Sequence, residues 1–342
     1  MCLNEVKELL RTMKILAPIR EFDELEMLTA SGAEELYCGV VPKEWLAKYP
    51  GALWLNRRAA AGSGMESFAE LRRLKDAARM PVFVTLNAPA YGGEQLNMVL
   101  DLADRMSEEG GADALIVSDL NLLALLSERR LNAQLHVSSV AASLNTEAVR
   151  FLSEFGVTRV VLPRSVTLNE IEQITQANRE IEIEVFLLND GCAFEEGFCS
   201  TTHHHSVGAF CTNLSTMKAD FEWYGPRYTS RRERWLRQNL ADYREWVWYV
   251  NGNGCGATAK GLPYGPCGLC AIPDLQRMGV ASLKIVGREA SPFRKLASVK
   301  MAADIVHRTR GGAPKLHVIE RARSLRQEPE HCDSGYMCYY KC

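Results

Sequence analysis

Short apolar segments alternate with amphipathic ones along most of this 342-residue sequence, and no other feature restricts its fold as strongly. Seven segments in the first 190 residues have the length and apolar content of buried strands. Segments with helical spacing lie between them, and one has its apolar stripe at Leu96, Val99, Leu100, Ala103 and Met106. Repeated strand–helix units predict parallel strands joined by right-handed crossovers. The strand candidates are Lys14–Pro18, Glu34–Val40, Pro81–Asn87, Ala112–Ser118, Gln134–Ser139, Thr158–Pro163 and Ile181–Asn189.

An eighth strand is predicted much later, at Ala281–Val286, where the sequence reads ASLKIV. Ser291 and Pro292 follow it as the cap and the first residue of another helix. Eight units predict a (β/α)8 TIM-like barrel with a cysteine-rich insertion between strands 7 and 8. An open doubly wound sheet is the alternative, but no Gly-x-Gly-x-x-Gly motif follows the first strand. The predicted parts are residues 1–189 with the first seven units, 190–280 with the insertion, 281–326 with the eighth unit and a C-terminal helix, and 327–342 as a cysteine-containing tail.

The charge balance and the lack of long apolar runs restrict the possible partners. The formal net charge is -2, so no global basic field attracts nucleic acid, and any RNA binding must come from a local patch. No run of roughly 18 apolar residues is present, so we expect no membrane span. Residues 1–13 carry four charged side chains and do not resemble a signal peptide. We therefore expect a cytoplasmic protein.

Eleven cysteines are unusual for a protein of a reducing compartment, where clustered thiols indicate metal or redox chemistry more often than disulfides. Four thiolates that converge from loops suit an iron–sulfur cluster, because iron in such clusters prefers soft sulfur ligands. Zinc is the competing metal, although only Cys267 and Cys270 have its usual Cys-x2–4-Cys spacing. Buried structural thiols are a third interpretation. The candidate metal ligands are Cys192, Cys199, Cys211, Cys267 and Cys270.

Histidines and arginines near these cysteines are the candidate catalytic residues. His203, His204 and His205 could bind a metal or transfer protons near neutral pH, although exposed loop histidines would give the same pattern. Arg164 and Arg288 follow strands six and eight, at the end of the barrel where active sites lie. A guanidinium there can bind the carboxylate or phosphate of an acidic cosubstrate, or form a salt bridge. The candidate salt-bridge partners are Glu184, Glu195 and Glu289.

Two further segments leave their roles open. The arginine- and tryptophan-rich stretch at residues 227–250 has the kinds of side chain that bind single-stranded nucleic acid, but an amphipathic helix covering the cysteines would have the same composition. The tail contains Cys332, Cys338 and Cys342, three thiolates with no obvious fourth. A second metal, sulfur delivery, redox activity and no chemical role at all are the alternatives for the tail.

Two segments resemble the hallmarks of a known family. The run EVFLLNDGCAFEEGFCS, Glu184–Ser200, resembles the signature of the collagenase-like peptidases of family U32, which has a strand glutamate and two cysteines separated by six residues. The run ASLKIVGREAS, Ala281–Ser291, resembles the second hallmark, a strand that ends in a Lys-Ile-x-Gly-Arg turn. The resemblance covers most of residues 14–310, and the three-cysteine tail is not part of the common pattern.

The resemblance implies an iron–sulfur protein. Several members of that family take part in oxygen-independent hydroxylation of the ubiquinone ring, of a wobble uridine in tRNA or of a ribosomal RNA cytidine. Prephenate is linked to the oxygen source in the ubiquinone and tRNA branches, which implies an acidic small-molecule cosubstrate here. The ligands that the resemblance implies for a [4Fe-4S] cluster are Cys192, Cys199, Cys211 and one of Cys255, Cys267 and Cys270, with the last two preferred.

Three hypotheses for function follow. The first is an iron–sulfur-dependent, oxygen-independent hydroxylase or related redox-modifying enzyme that acts on an RNA base, a peptide or an aromatic metabolite. In it Arg164 and Arg288 hold the acidic cosubstrate and the histidines His203 to His205 transfer protons. The second is a metal-dependent peptidase, although the sequence has no His-Glu-x-x-His and no Gly-x-Ser-x-Gly motif. The third is a non-catalytic iron–sulfur subunit that forms a hetero- or homodimer with a related barrel protein.

Overall fold

Eight parallel strands close into a barrel surrounded by helices, so the predicted (β/α)8 fold is confirmed. The computed structural model describes residues 13–49, 55–56, 64–192, 196–198, 203–204, 208–209, 229–254 and 256–340. The strands are β1 Lys14–Pro18, β2 Glu35–Cys38, β3 Val82–Leu86, β4 Ala114–Val117, β5 Gln134–Val137, β6 Arg159–Val161, β7 Glu182–Leu188, the short β8 His203–His204 and β9 Gly208–Ala209, and β10 Ser282–Ile285.

The last strand completes the ring. The order around the barrel is β1-β10-β7-β6-β5-β4-β3-β2, and β1 pairs with both β2 and β10. Lys14 stands opposite Ser282 in the closing pair, and Ser282 stands opposite Glu184 on the other side of β10. Each of the eight predicted strand segments contains one barrel strand. The long excursion of the chain therefore leaves the barrel after β7 and returns at β10.

The helices begin where the sequence supplies caps. Thr167 and Glu170 form the predicted capping box, and the Ser291 side chain accepts a hydrogen bond from the Arg294 backbone N–H. Four of the five predicted stripe residues on the helix after β3 are buried. The helices are α1 Leu25–Ala30, α2 Lys43–Lys48, α3 Phe68–Ala78, α4 Gly93–Glu108, α5 Leu120–Ser127, α6 Thr146–Ser153, α7 Leu168–Ala177, α8 Ser230–Gly254, α9 Ile272–Met278, α10 Pro292–Arg310, α11 Lys315–Arg326 and α12 Pro329–Ser334.

Apolar side chains fill two separate layers. The larger core lies between the strand ring and the helices, as alternate residues of each strand face outward. His136 faces the other way, with its ring centroid 4.7 Å from that of Phe83, and burial lowers its pKa well below the usual value. The imidazole is therefore neutral at physiological pH. The smaller core inside the barrel is formed by Leu16, Tyr37, Phe83, Ala114 and Ile116.

Charged side chains also lie inside the barrel, where each must be paired. The Arg159 guanidinium donates to both carboxylate oxygens of Glu35 at 2.8 Å and to Glu182 at 2.6 Å. It also contacts Glu184 at 3.2 Å, and Glu184 in turn accepts from Lys284 Nζ at 2.6 Å. Burial raises the pKa of Glu35, but the hydrogen bonds and charge of Arg159 outweigh burial and hold that pKa below its usual value. The barrel interior therefore contains a connected row of ion pairs.

The chain between β7 and β10 has its own secondary structure. β8 and β9 form a two-stranded antiparallel hairpin, and α8 spans 25 residues. Beyond β10, α10 packs on the barrel, and α11 packs on α10. In the parts of the chain that the structure describes, no helix combines the length and the apolar content needed to cross a membrane. The division of the chain into four parts stays a prediction.

Candidate active site at the barrel mouth

The turn after β7 has an unusual backbone. Asn189 and Asp190 both have positive φ angles, 74° and 45°, which non-glycine residues adopt only when other contacts hold them there. The Asn189 side-chain amide donates to Ser298 Oγ at 2.9 Å, and Asp190 pairs with Arg294 at 3.0 Å. Helix α10 thus holds the turn in place, and the turn leads directly to Cys192.

Arg288 lies at the mouth of the barrel, in the loop after β10. Its guanidinium donates to Thr85 Oγ1 at 2.6 Å and to Asn56 Oδ1 at 3.2 Å, so strand β3 and a distant loop both orient it. A Cβ atom on Gly39 would lie only 2.5 Å from Arg288 Nη1. Because Gly39 has no side chain, the guanidinium can occupy this space. The location agrees with the sequence analysis, while the binding of an acidic cosubstrate stays a prediction.

Arg164 forms an ion pair with Glu196, a partner that the sequence analysis did not predict. Its guanidinium also lies 3.8 Å from the centroid of the Phe186 ring, a cation–π contact with a residue of β7. Glu184, one of the predicted partners, is instead paired with Arg159 and Lys284. Arg164 is thus positioned at the mouth by two contacts, and one of them brings the insertion residue Glu196 to the strand ends.

Other polar residues at the strand ends stabilise local structure. Asp119 caps α5 by accepting hydrogen bonds from the backbone N–H groups of Asn121 and Leu122 at 2.8 and 3.0 Å. The Asn87 side chain donates to Ser138 Oγ at 3.4 Å. These contacts give the polar side chains at three strand ends hydrogen-bond partners within the barrel.

The sequence analysis missed the pairing of Glu184 and Lys284 inside the barrel. Burial lowers the pKa of Lys284, and the charge of Glu184 only partly opposes that effect. Lys284 Nζ also lies 4.3 Å from the centroid of the Tyr37 ring. A signal was present, because Glu184 is the strand glutamate and Lys284 the lysine of the two hallmark segments. The hallmark residues therefore meet on neighbouring strands, β7 and β10.

The segments that carry Cys192 and Cys267 lie side by side. The Asn189 backbone N–H donates to the Pro266 carbonyl at 3.0 Å, and a Cβ on Gly191 would lie 2.8 Å from Pro266 Cγ. Cys192, Cys267 and Cys270 are each half-buried, and none is in a disulfide. The barrel thus brings together the beginning and the end of the cysteine-rich insertion.

Several predicted site residues cannot be placed. Cys199, Cys211 and Cys255 lie outside the described residues, as does His205. His203 and His204 lie on β8, but their side chains are not among those described. Within the described part of the chain, no three histidine, cysteine, aspartate or glutamate side chains are arranged to hold a metal ion. The ligand set and the proton-transfer role of the histidines stay predictions.

The C-terminal tail returns to the barrel mouth, which the sequence did not reveal. The Cys267 backbone N–H donates to the Met337 carbonyl at 2.8 Å, and the Tyr339 N–H donates to the Cys267 carbonyl at 3.1 Å. The sequence signal for this contact was slight, since the tail reads as a polar segment with a few aromatic residues. The tail is thus paired with the segment that carries two candidate ligands.

Two tyrosines of the tail cover the end of β7. The Tyr339 hydroxyl donates to the Asn189 carbonyl, and the Tyr340 hydroxyl donates to the Phe186 carbonyl at 2.5 Å. Burial raises the pKa of Tyr339 to about 12, with a smaller opposing effect from the Arg164 charge. Both phenols are therefore neutral hydrogen-bond donors at physiological pH, and the tail forms part of the wall around the site.

Two tail thiols lie near the Cys267–Cys270 pair. The pKa of the Cys270 thiol is raised to about 12, first by burial and then by the neighbouring thiols of Cys267, Cys332 and Cys338. The sequence left the tail cysteines without a fourth partner, and the structure brings two of them to the end of the insertion. Cys342 lies outside the described residues.

Comparisons with known proteins find relatives named for RNA hydroxylation. The "tRNA hydroxylation protein P" of Escherichia coli (strain K12) is 33% identical over 117 residues, which are 34% of this chain and 25% of that protein. The "23S rRNA 5-hydroxycytidine C2501 synthase" of the same organism is 29% identical over 194 residues, 56% of this chain and 26% of that protein. These matches therefore span about a quarter of each relative's length.

Other similar proteins have peptidase names. The "Collagenase" of Porphyromonas gingivalis (strain ATCC BAA-308 / W83) is 22% identical over 210 residues, 57% of this chain and 46% of that protein. The solved structure of the U32 peptidase Mk0906 matches 51% of this chain and 68% of its own, with 14% identity and a TM-score of 0.39. The family model described as "Peptidase family U32" matches residues 20–341, nearly the whole chain. The chain therefore belongs to peptidase family U32.

Proposed function

We propose that this protein hydroxylates an RNA base without dioxygen, using an iron–sulfur cluster and an acidic cosubstrate bound at the barrel mouth. The observation that carries the proposal is the meeting of the Cys192 and Cys267 segments at the end of β7, beside Arg164 and Arg288. The similarity to Escherichia coli proteins named for tRNA hydroxylation and for 5-hydroxycytidine synthesis in rRNA supports RNA as the substrate.

The donor chemistry of the mouth fits an iron–sulfur cluster. Half-buried thiols at Cys192, Cys267 and Cys270 are soft ligands next to a strained turn held by α10. Cys199 and Cys211 of the same insertion would complete the set with one of the later cysteines, Cys255, Cys267 or Cys270. When bound, such a cluster supplies one-electron redox chemistry. The protein's own part is to hold and orient the two substrates beside it.

The two arginines are suited to orient the acidic cosubstrate. A guanidinium binds a carboxylate through paired N–H groups, and the contacts of Arg288 with Thr85 and Asn56 fix the direction in which it can do so. Replacing a base C–H by C–OH removes two electrons from the base. A cosubstrate that gives up a hydroxyl group and takes the displaced hydrogen leaves reduced by two electrons, which balances the reaction. His203 and His204 are our candidates for the proton transfers, because imidazole exchanges protons near neutral pH.

The cluster is tested on protein purified without oxygen. We expect iron and acid-labile sulfide with broad visible absorbance, and we expect Cys192→Ala and Cys199→Ala each to bleach it. Cys38→Ala is the matched control, since that thiol is buried in the outer core. Colour that survives both ligand replacements would remove these cysteines from the proposal.

The reaction is tested by mass spectrometry of nucleosides from tRNA and rRNA of cells with and without the gene. We expect one uridine or cytidine derivative to gain an oxygen atom only when the protein is present. Arg288→Gln should raise the KM for the acidic cosubstrate about 10- to 100-fold, which corresponds to the ~1.5–3 kcal/mol of a charged hydrogen bond. Arg277→Gln is the control, because Arg277 forms a surface ion pair with Glu172. An unchanged KM in Arg288→Gln would show that Arg288 does not bind the acidic cosubstrate.

The peptidase alternative makes a different prediction from the same preparation. It is favoured by the family name and by the relative named "Collagenase". If the preparation contains zinc without iron or sulfide and cleaves denatured collagen, the peptidase function is favoured and the hydroxylase proposal is rejected. Stable co-purification of an inactive chain with a related barrel protein would instead favour a subunit role.

A further inference from the structure

Four described cysteines from two distant parts of the chain meet on one side of the barrel mouth. Cys267 and Cys270 precede α9, whereas Cys332 lies on α12 and Cys338 follows it. None of the four is in a disulfide. The spacing Cys-x2-Cys in the first pair is the commonest form of a metal-binding knuckle. Two cysteines thus lie on each side of one contact.

Backbone hydrogen bonds bring the two pairs together. Cys267 and Cys338 stand opposite each other in a parallel bridge, because the chain on either side of Cys338 bonds to the Cys267 backbone. The bonds are those from Cys267 N to the Met337 carbonyl, 2.8 Å, and from Tyr339 N to the Cys267 carbonyl, 3.1 Å. The proximity of Cys267 and Cys338 therefore follows from the main chain rather than from flexible side chains.

Two further features fit the tail to this position. Arg326, at the end of α11, is only 2% exposed, and its guanidinium donates to the carbonyls of Tyr264 and Gly265 at 2.8 and 2.7 Å. Gly268 lies between the two cysteines of the knuckle, and a Cβ there would lie 2.8 Å from Cε2 of the Tyr340 ring. The glycine leaves room for the tail, and the arginine fixes the loop that carries the knuckle.

Four thiols in one place are unfavourable as thiolates unless a cation offsets their charge. Cys332 lies close enough to Cys267 and Cys270 for their charges to interact, and the same holds for Cys338 and Cys270. A bound metal cation would provide the missing charge. Because no three of the described side chains already have metal-holding geometry, ligation requires these four side chains to move.

We propose that Cys267, Cys270, Cys332 and Cys338 bind one thiophilic metal centre, which fastens the C-terminal tail over the barrel mouth. Four soft thiolates suit zinc or iron–sulfur chemistry and do not suit magnesium or calcium. The inference depends on the contacts of the tail and not on the proposed hydroxylation. If the tail centre is separate from the proposed cluster, Cys255 is the remaining candidate for the fourth ligand of that cluster. It also gives the tail cysteines a role that the resemblance to the family did not supply.

The first experiment uses the full wild-type protein. Each cysteine is alkylated with iodoacetamide, with and without prior removal of metal by a chelator, and the rate at each position is read by peptide mass spectrometry. We expect chelation to speed alkylation of all four cysteines at least tenfold while buried Cys38 stays slow. Equal rates with and without the chelator at the four positions would overturn the proposal, and no mutant needs to fold for this result.

The second experiment measures zinc, iron and sulfide in the double variant C332S/C338S and in Gly268→Ala, which displaces the tail without removing a thiol. Ser334→Ala, an exposed change in the same tail, is the matched control. We expect the double variant to lose about one metal centre per chain relative to the control, in keeping with a single four-thiolate site, and Gly268→Ala to retain less metal than the control. Unchanged metal content in the double variant would overturn the proposal.

The identity of the lost metal separates two forms of the same centre. Loss of zinc with iron and sulfide retained would make the tail thiols a centre of their own. Loss of iron and sulfide would make them ligands of the iron–sulfur group. The hydroxylase proposal has its own readout in Cys192→Ala and Cys199→Ala, so either idea can fail while the other survives.

Discussion

Arg159 has its charge in the interior of the barrel, where it is only 3% exposed. Glu35 and Glu184, two of its partners, are fully buried. These buried charges stabilise the fold only while all of them are paired. Removal of one partner leaves a charge that neither water nor another side chain compensates. The row of ion pairs therefore makes the barrel interior sensitive to single substitutions that preserve size.

Glu35→Gln should lower the free energy of unfolding by about 3–5 kcal/mol, since it leaves part of the Arg159 charge unpaired in the interior. Urea denaturation followed by circular dichroism measures the change. Glu147→Gln is the control, as its ion pair with Arg150 is exposed and should be worth less than about 1 kcal/mol. Equal losses in the two variants would show that the buried network does not stabilise the barrel.

The shifted pKa of Glu35 also predicts how the free energy of unfolding depends on pH. The pKa of Glu35 is below its usual 4.5 in the folded protein, so its contribution is fully present above that value and is lost as the pH falls through the folded pKa. Stability should therefore fall below about pH 4.5 more steeply in the wild type than in Glu35→Gln. Urea midpoints measured from pH 6 to pH 3 provide the test, and parallel profiles would contradict it.

At the residue scale, the sequence identified positions better than partners. Glu184 and Lys284 were within the hallmark segments, but their pairing joins residues 100 positions apart across β7 and β10. Arg164 was assigned to the right end of the barrel, yet its partner Glu196 lies in the insertion, which has no periodic pattern. The sequence marks these residues, but it does not show which of them pair once the barrel closes.

At the element scale, the loop after β2 is shaped to receive a side chain from the loop after β10. Gly39→Ala should displace the Arg288 guanidinium, because the new Cβ would lie 2.5 Å from Nη1. We expect the KM for the acidic cosubstrate to rise as in Arg288→Gln, with circular dichroism unchanged. Gly93→Ala, at the start of α4 with no atom within 4 Å of the added Cβ and without a positive φ angle, is the control for an added methyl group. A wild-type KM in Gly39→Ala would show that this contact does not position the arginine.

The strands and most helices could be predicted because each has its own local signal. Predicted strand ends extend one or two residues too far, as at Glu34–Val40 against Glu35–Cys38, because apolar packing continues beyond the hydrogen-bonded ladder. The pairing of Met337–Tyr339 with Cys267 could not be predicted. It consists of two backbone hydrogen bonds, and so short a contact shows neither hydrophobic alternation nor a turn motif in the sequence.

At the scale of the whole molecule, the tail connects the last helices to the end of β7. Removing residues 328–342 should lower the free energy of unfolding by about 2–4 kcal/mol, from two buried tyrosine hydrogen bonds and the apolar surface of the tail. Thermal denaturation measures the loss, with Ser334→Ala as the control. An unchanged melting temperature would mean that the tail rests on the barrel without stabilising it.

The (β/α)8 architecture followed from the repeat of strand and helix signals, and the family followed from two short segments, Glu184–Ser200 and Ala281–Ser291. The candidate site was predicted in outline, because barrels of this kind place their chemistry at the carboxyl ends of the strands. Its composition was predicted less well. The tail enters the site by folding back over about 50 residues of helix and loop, and only the three-dimensional arrangement brings it there.

The position of β10 in the chain has a consequence for synthesis on the ribosome. The ring stays open until Ser282–Ile285 has left the exit tunnel and paired with both β1 and β7. Until then the nascent chain exposes two unpaired strand edges, and the thiols of the insertion have already emerged. Closure of the barrel therefore comes after the whole insertion has been synthesised, so any metal that its cysteines bind can meet them before the ring is complete.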